Sequence, residues 1–307
     1  MSLLLTLRDM GYRFVTPTPA THARVLARPV RQKAGSLEDV LGWSLPFSQG
    51  LLDTRVEELL REAGALKRSS GGLWRSTLRV SSLQGQLYLH SAFPTDQRDA
   101  VFFGPDSYRF ADLITAELTA HPAPENAHIV DIGAGSGVGA IVAAQICPQA
   151  RLTMTDINPE ALRLARINAA AAGVKARTLL GADLDEVEGT VEVMLANPPY
   201  IADSAGPRYR DGGGLHGGAV TLDMTRTALD RLSSGGRLIL YTGSAIVDGA
   251  DPIRTALLKL VEERNHSMRY KEVDPDVFGE ELGGPAYHDV DRIAVVAAVI
   301  TANKRTD

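Results

Sequence analysis

Six residues near the middle of the chain, LANPPY (Leu195–Tyr200), combine residue types that could hold a flat nitrogen group. Asn197 offers a side-chain oxygen, and Pro198 offers a carbonyl whose direction is restricted because the two proline rings fix φ. Two such acceptors can bind the N–H bonds of an amide or amine and stabilise the charge that develops as it reacts. Tyr200 adds a ring on which a planar group can stack. Taken alone, the stretch could also be a turn that ends a strand.

A glycine-rich loop, VDIGAGSGVGA (Val130–Ala140), follows a predicted buried strand and precedes a helix. Gly133, Gly135 and Gly137 allow sharp backbone turns and a close approach to a ligand, and the helix start offers free N–H groups. The spacing also permits a loose dinucleotide motif, Gly135-x-Gly137-x-x-Ala140. The loop therefore predicts a ligand site without identifying the ligand.

Three aspartates lie at the ends of successive predicted strands. Asp131 precedes the first glycine, where a carboxylate repels a pyrophosphate and attracts an ammonium group. Asp156 can accept the hydroxyls of a ribose, and Asp183 can accept a hydrogen bond from an adenine amine. Each alone could be a helix cap or a solvated charge. Together they offer sites for an ammonium group, a ribose and an adenine, which are parts of S-adenosylmethionine.

The stretch from Asp131 to Tyr200 resembles the core of class I S-adenosylmethionine-dependent methyltransferases. NPPY after the fourth strand is similar to the signature of the subset that methylates amino groups. That subset includes HemK-type release-factor glutamine methyltransferases, adenine methyltransferases of DNA and RNA, and guanine-N2 methyltransferases of ribosomal RNA. The resemblance implies S-adenosylmethionine as the cofactor, without a metal. The cofactor contacts that we expect beyond the motif positions above are Ala134, Ile157, Leu184 and Asn197.

Upstream, GPDSYRF partly resembles the segment R-P-[DE]-T-E of the glutamine enzymes. Pro105, Asp106 and Ser107 match its middle in kind, whereas Gly104 replaces the arginine and Tyr108 the glutamate. The segment is expected to close over the cofactor, with Ser107 as a contact. Because of these two departures, the segment does not decide whether the methyl acceptor is a glutamine or another planar nitrogen group.

The implied reaction transfers a methyl group from the cofactor sulfonium to that nitrogen. The cofactor carries the leaving group, so the protein must mainly position the reactants. The nitrogen lone pair is delocalised, and acceptors at Asn197 and Pro198 favour the pyramidal geometry that attack requires. No strong general base is needed, because the proton can leave after the transfer.

The elements that must position these residues alternate between strand and helix from about residue 108 onward. This order predicts a seven-stranded, mostly parallel, doubly wound sheet with helices on both faces. The resemblance implies that this sheet is of the Rossmann-like methyltransferase type. Ligands bind such sheets at the carboxyl ends of the strands. We assign residues 96–307 to the catalytic, S-adenosylmethionine-binding domain.

Residues 1–95 predict a smaller α+β domain for substrate recognition. The segments SLEDVLGWSL and DTRVEELLREAGAL have helical spacing, with Asp53 or Thr54 as a cap for the second and Gly64 at its end. The patterns LWRSTLRV and QLYLHSAF then predict a hairpin around SSLQG. Helices followed by a hairpin resemble a winged-helix module.

The charge is unevenly distributed. Residues 1–95 contain 12 basic and 7 acidic residues, whereas residues 96–307 contain 20 and 30, and the whole chain carries −5. A basic front can attract phosphate or an acidic protein surface, although it could also be an ordinary solvated face. The front therefore favours RNA or DNA as the substrate, whereas the acidic chain and GPDS favour a protein glutamine. A small-molecule amine is a third option, and a nicotinamide- or flavin-binding protein is an alternative from another class.

Other features predict a cytoplasmic protein with no membrane partner. Cys147 is the single cysteine, which indicates a reducing compartment. The apolar start MSLLLTLRDM is too short for a signal peptide, and the run Ile293–Ile300 has the length of a buried strand. The glycine-rich segment Tyr209–Gly218 predicts a mobile loop that either folds over the substrate, with His216 in contact, or merely connects two elements.

Overall fold

The front of the chain combines short helices with two antiparallel strand pairs. The computed structural model describes residues 1–182, 184–203, 207 and 209–303. The front elements are α1 (Ser2–Asp9), α2 (Pro19–Leu26), α3 (Leu37–Leu41), α4 (Thr54–Glu62), β1 (Leu66–Arg68), β2 (Trp74–Ser76), β3 (Leu78–Leu83) and β4 (Gln86–Ser91). The expected hairpin forms between β3 and β4, but the first predicted strand splits at Thr77, and its earlier half pairs with β1. The hydroxyl of Ser76 binds both backbone groups of Leu78, which stabilises this break.

The rest of the chain alternates helix and strand as the sequence predicts. Its elements are α5 (Pro105–Ala120), β5 (His128–Ile132), α6 (Val138–Ile146), β6 (Arg151–Asp156), α7 (Pro159–Ala171), β7 (Ala176–Leu180), β8 (Val191–Ala196), α8 (Ala219–Arg231), β9 (Leu232–Ile246), α9 (Pro252–Glu263), β10 (Ser267–Asp274) and β11 (Arg292–Thr301). Local signals explain several boundaries. Asp53 caps α4 and Asn158 caps α7, with Pro159 at the first helical position and Gly173 at φ +73° beyond its end.

Seven strands of the described chain form one sheet in the order β10-β11-β9-β8-β5-β6-β7. The five strands from β9 to β7 in this order are parallel, and β11 runs antiparallel to both of its neighbours. The predicted fold class is therefore confirmed. The strand order reverses between β5 and β8, which opens a crevice at their carboxyl ends.

The sheet separates two apolar layers. Ile129 of β5 packs with α5 and α6, whereas the next residue, Val130, packs with α8 and α9, as strand alternation requires. The outer face of α7 enters the front core through Ala161 and Leu164. The hairpin β3–β4 contributes to both the front core and the α5–α6 layer, so the front packs directly on the catalytic region. In the described residues, no helix is both long and apolar enough to cross a membrane.

Candidate active site

The glycine loop folds back over the carboxyl end of the sheet. Gly135 and Gly137 have φ of +54° and +82°, a region that side chains disfavour, and Gly137 caps α6. The buried Ala134 donates its N–H to the carbonyl of Thr155 at 2.9 Å, which ties the loop to β6. The loop thus exposes backbone rather than side chains toward the crevice.

Asp131 lies under the first turn of α6. One carboxylate oxygen accepts the N–H of Ala140 at 2.9 Å, and a β-carbon at Gly139 would lie 2.6 Å from the other oxygen. The side chain is only 2% exposed. Burial raises the pKa of Asp131 to about 7, a value that includes a lowering effect of the Ala140 hydrogen bond and a raising effect of the nearby Asp156. A cationic partner stabilises the ionised form of a buried carboxylate whose pKa is raised, so Asp131 is suited to bind one.

Asp156 supports the same loop from the end of β6. Its two oxygens accept the N–H groups of Gly135 at 2.9 Å and Asn158 at 2.8 Å. Burial raises the pKa of Asp156, while these backbone hydrogen bonds lower it. The carboxylate therefore lies at the predicted strand end and also holds the loop in shape.

Two large apolar side chains are exposed beside Asp156. Ile157 is 50% exposed, and Leu180, which pairs with Asp156 in the ladder, is 61% exposed. Such a pair on adjacent strand ends suits a flat apolar ligand. Leu184 is buried, and Asp183 lies outside the described residues. Leu180 is not among the residues expected from the sequence, although it ends a predicted strand just before Gly181.

The NPPY segment begins where β8 meets β5, since Ala196 pairs with Ile132. Asn197 is partly exposed and Pro198 is buried. Among the described residues, neither the Asn197 side chain nor the Pro198 carbonyl has a hydrogen-bond partner. Neither predicted acceptor is therefore engaged by another group of the described chain.

Tyr200 occupies a different environment from the expected one. Its ring is 7% exposed and packs so closely on β9 that a β-carbon at Gly243 would lie 2.1 Å from it. Its hydroxyl donates to Asp106 at 2.8 Å. The predicted stacking face is thus covered by the sheet, because the ring turns inward where Gly243 leaves room. Stacking on an acceptor would require this ring to leave the core.

Asp106 connects the GPDS segment to NPPY. It is buried at the start of α5 and accepts hydrogen bonds from the hydroxyls of both Tyr200 and Tyr241, each at 2.8 Å. Burial raises its pKa, whereas the two phenols and Arg109 lower it. The hydroxyl of Ser107 accepts the N–H of Gly104 at 3.3 Å and so closes the helix start. Asp106 belongs to the GPDS match but is not among the site residues expected from the sequence.

The loop Tyr209–Gly218 is held by contacts on several sides. Tyr209 stacks on Phe102 with centroids 5.1 Å apart, and its hydroxyl lies 2.9 Å from that of Thr95. His216 pairs with Asp289 at 2.9 Å. A β-carbon at Gly217 would lie 2.3 Å from the Tyr200 carbonyl. The loop, expected to be mobile, therefore packs directly behind NPPY.

Comparisons with known proteins find similarity to methyltransferases. A family model, the methyltransferase small domain, matches residues 107–270. The release factor glutamine methyltransferase of Deinococcus radiodurans is 30% identical over 273 residues, covering 86% of this chain and 90% of that protein. The corresponding enzyme of Moorella thermoacetica is 33% identical, covering 72% and 82%. The ribosomal RNA small subunit methyltransferase C of Shigella flexneri is 29% identical, covering 42% and 34%.

Two solved structures share the fold. Trm5b of Pyrococcus abyssi superposes with a TM-score of 0.51 at 16% identity, covering 78% of this chain and 62% of that one. The TYW2 protein of M. jannaschii, solved with AdoMet, gives 0.50 at 14% identity, covering 74% and 87%. At these identities the likeness supports the fold alone.

Proposed function

Because the chain belongs to the methyltransferase small domain family and is an S-adenosylmethionine-dependent methyltransferase, we propose that it methylates the side-chain nitrogen of a protein glutamine. This choice rests on the share of the chain that is similar to each class of relative. The match to the Deinococcus radiodurans glutamine enzyme covers 86% of the chain and so extends into the front, whereas the match to the ribosomal RNA enzyme covers 42%. A release factor is therefore the candidate substrate.

The residues at the strand ends fit the cofactor. Asp131 is a buried carboxylate without a cation in contact among the described residues, which suits the ammonium group. Asp156 suits the ribose, and the exposed side chains of Ile157 and Leu180 suit the adenine. We retain Ser107, Ala134, Asp183 and Leu184 as proposed contacts around this core.

In the proposed mechanism the protein positions the acceptor. The cofactor, when bound, supplies an activated methyl group on a sulfonium. The Asn197 side-chain oxygen and the Pro198 carbonyl accept the two N–H bonds of the glutamine amide and hold its nitrogen at the crevice. Tyr200 keeps this segment in place through Asp106. We infer that this transfer needs no metal, because the leaving group is already activated.

We further propose that two regions of the chain have different roles. Residues 1–95 recognise the substrate and residues 96–307 bind the cofactor and carry out the transfer. The single cysteine supports placing this reaction in the cytoplasm.

Replacing Asp156 should weaken cofactor binding. We expect Asp156→Ala to lower the affinity for S-adenosylhomocysteine by about tenfold or more, since it loses charge-assisted hydrogen bonds. Isothermal titration calorimetry measures this, with Asp223→Ala on the exposed face of α8 as the control. Equal affinities for Asp156→Ala and the unmodified protein would refute the assignment.

The raised pKa of Asp131 should make cofactor binding depend on pH. An ammonium group favours the carboxylate, so binding lowers a pKa that starts at about 7. Since the unfolded value is about 3.9, this group also reduces the stability of the free protein as pH rises from about 4 to about 7. The thermal shift caused by S-adenosylhomocysteine should therefore grow between about pH 6 and about pH 8. Asp131→Asn, which keeps an acceptor for Ala140, should remove this growth, and a shift that still grows would contradict the proposal.

Methyl transfer to a release factor tests the function directly. The purified release factor of Deinococcus radiodurans is incubated with the protein and radiolabelled S-adenosylmethionine, and mass spectrometry locates the label. Label on a glutamine is the expected result. If a lysate loses its labelled product to RNase rather than to protease, the acceptor is RNA, which the net charge of +5 on residues 1–95 would favour.

A further inference from the structure

A cleft of about 540 Å³ lies between the front and the catalytic region. Its lining comes from the turn after α4, the β1–β2 pair, the start of β3, the segment 91–100, and the first two turns of α7. The cleft adjoins the candidate cofactor site, because Asn158, which binds Asp156, also donates its side-chain amide to the Asp99 carbonyl at 2.8 Å. A ligand in this cleft would therefore lie beside the active site.

The β1–β2 pair makes one wall basic. Lys67 and Arg75 stand directly opposite each other in the ladder, an arrangement that destabilises an antiparallel pair. Within the described residues, neither side chain has an acidic partner, and the buried Nε of Arg75 has no hydrogen-bond partner. A negative charge bound in the cleft would relieve the repulsion between these two cations.

The segment 91–100 contributes opposite charge to the same cleft. Asp96 and Asp99 are both exposed, and no basic side chain pairs with them in the described part of the chain. On α7, by contrast, Arg163 and Glu160 bind each other at 2.6 Å and are neutralised. The unpaired charges of the cleft are therefore two basic residues on one element and two acidic residues on another.

We propose that this cleft binds a loop of the protein substrate that carries both an acidic and a basic side chain. The acidic side chain pairs with Lys67 and Arg75, the basic one with Asp96 and Asp99, and Phe93 contacts the apolar part of the loop. A nucleic acid strand fits less well, since its phosphates would meet the two aspartates. This inference rests on the proposed protein substrate and adds to it a docking site away from NPPY.

Two double charge reversals test the cleft. We expect Lys67→Glu with Arg75→Glu, and separately Asp96→Lys with Asp99→Lys, each to raise KM for the Deinococcus radiodurans release factor by about tenfold, with kcat little changed. The matched control is Lys259→Glu with Lys271→Glu, exposed residues of α9 and β10. Calorimetry with S-adenosylhomocysteine must give unchanged affinity in all three, which shows that each variant is folded.

The possible results distinguish failure of the docking proposal from failure of the proposed function. Unchanged KM in either cleft variant overturns the docking proposal while leaving the glutamine reaction intact. Stronger binding of RNA by the variant with Asp96→Lys and Asp99→Lys, together with loss of RNA binding by the Lys67 and Arg75 variant, would assign the cleft to a polyanion instead. If the unmodified protein does not methylate the release factor, the proposed function fails and the docking proposal falls with it.

Discussion

Asn197→Ala should reduce kcat by about 100-fold or more while leaving cofactor affinity almost unchanged. Asn197 lies at the end of β8 with its side chain free of partners among the described residues, and the proposed reaction uses its oxygen to hold the acceptor nitrogen. Loss of one of the two acceptors leaves the amide free to rotate and removes stabilisation of the developing positive charge. Single-turnover assays with saturating cofactor measure this effect on the chemical step.

Asn303→Ala is the matched control for this variant. The Asn303 side chain donates to the Asn265 carbonyl at 2.7 Å. Because β11 runs antiparallel to β9, it ends on the side of the sheet where β8 begins, away from NPPY. This variant should keep normal turnover. Near-normal kcat in Asn197→Ala would exclude Asn197 from the proposed role, and a parallel loss of S-adenosylhomocysteine binding would point to a cofactor contact instead.

Asp106→Ala should have the largest effect on stability and a strong effect on turnover. The change leaves the buried hydroxyls of Tyr200 and Tyr241 without their acceptor, and each unsatisfied donor costs about 1–3 kcal/mol. We therefore expect the free energy of unfolding in denaturant to fall by about 2–6 kcal/mol. Because Tyr200 belongs to NPPY, kcat should fall as well, since a displacement of about 1 Å can cost about 100-fold.

A glycine substitution on β9 can displace the Tyr200 ring without removing the Asp106 acceptor. Gly243→Ala introduces a β-carbon 2.1 Å from the Tyr200 ring, so the ring must move although Asp106 is intact. It should lower kcat by about tenfold or more and leave S-adenosylhomocysteine affinity unchanged. Gly283→Ala meets no atom within 4 Å and is the control. Normal kcat in a folded Gly243→Ala variant would show that Tyr200 does not position the acceptor pair.

Local sequence determined much of the molecule. Strand and helix periodicity predicted the alternating order, and Asn158, Pro159 and Gly173 bounded α7 as expected. Asp131, Asp156 and Asn197 lie at or next to the carboxyl ends of buried strands, and parallel strands bring such positions to one edge. These features depend on neighbouring residues and on the short reach of a strand or turn, so one sequence is enough to predict them.

Only the tertiary structure decided which side chains remain available to contact a substrate. Tyr200 reads as an exposed aromatic, but Gly243 on β9 gives it space, and Asp106, 94 residues earlier in the chain, binds its hydroxyl. Likewise, Lys67 and Arg75 form one basic wall only because the β1–β2 pairing sets them opposite each other beside a cleft. Burial and pairing depend on which distant segments meet in the folded chain, and the local pattern around one residue does not contain that information.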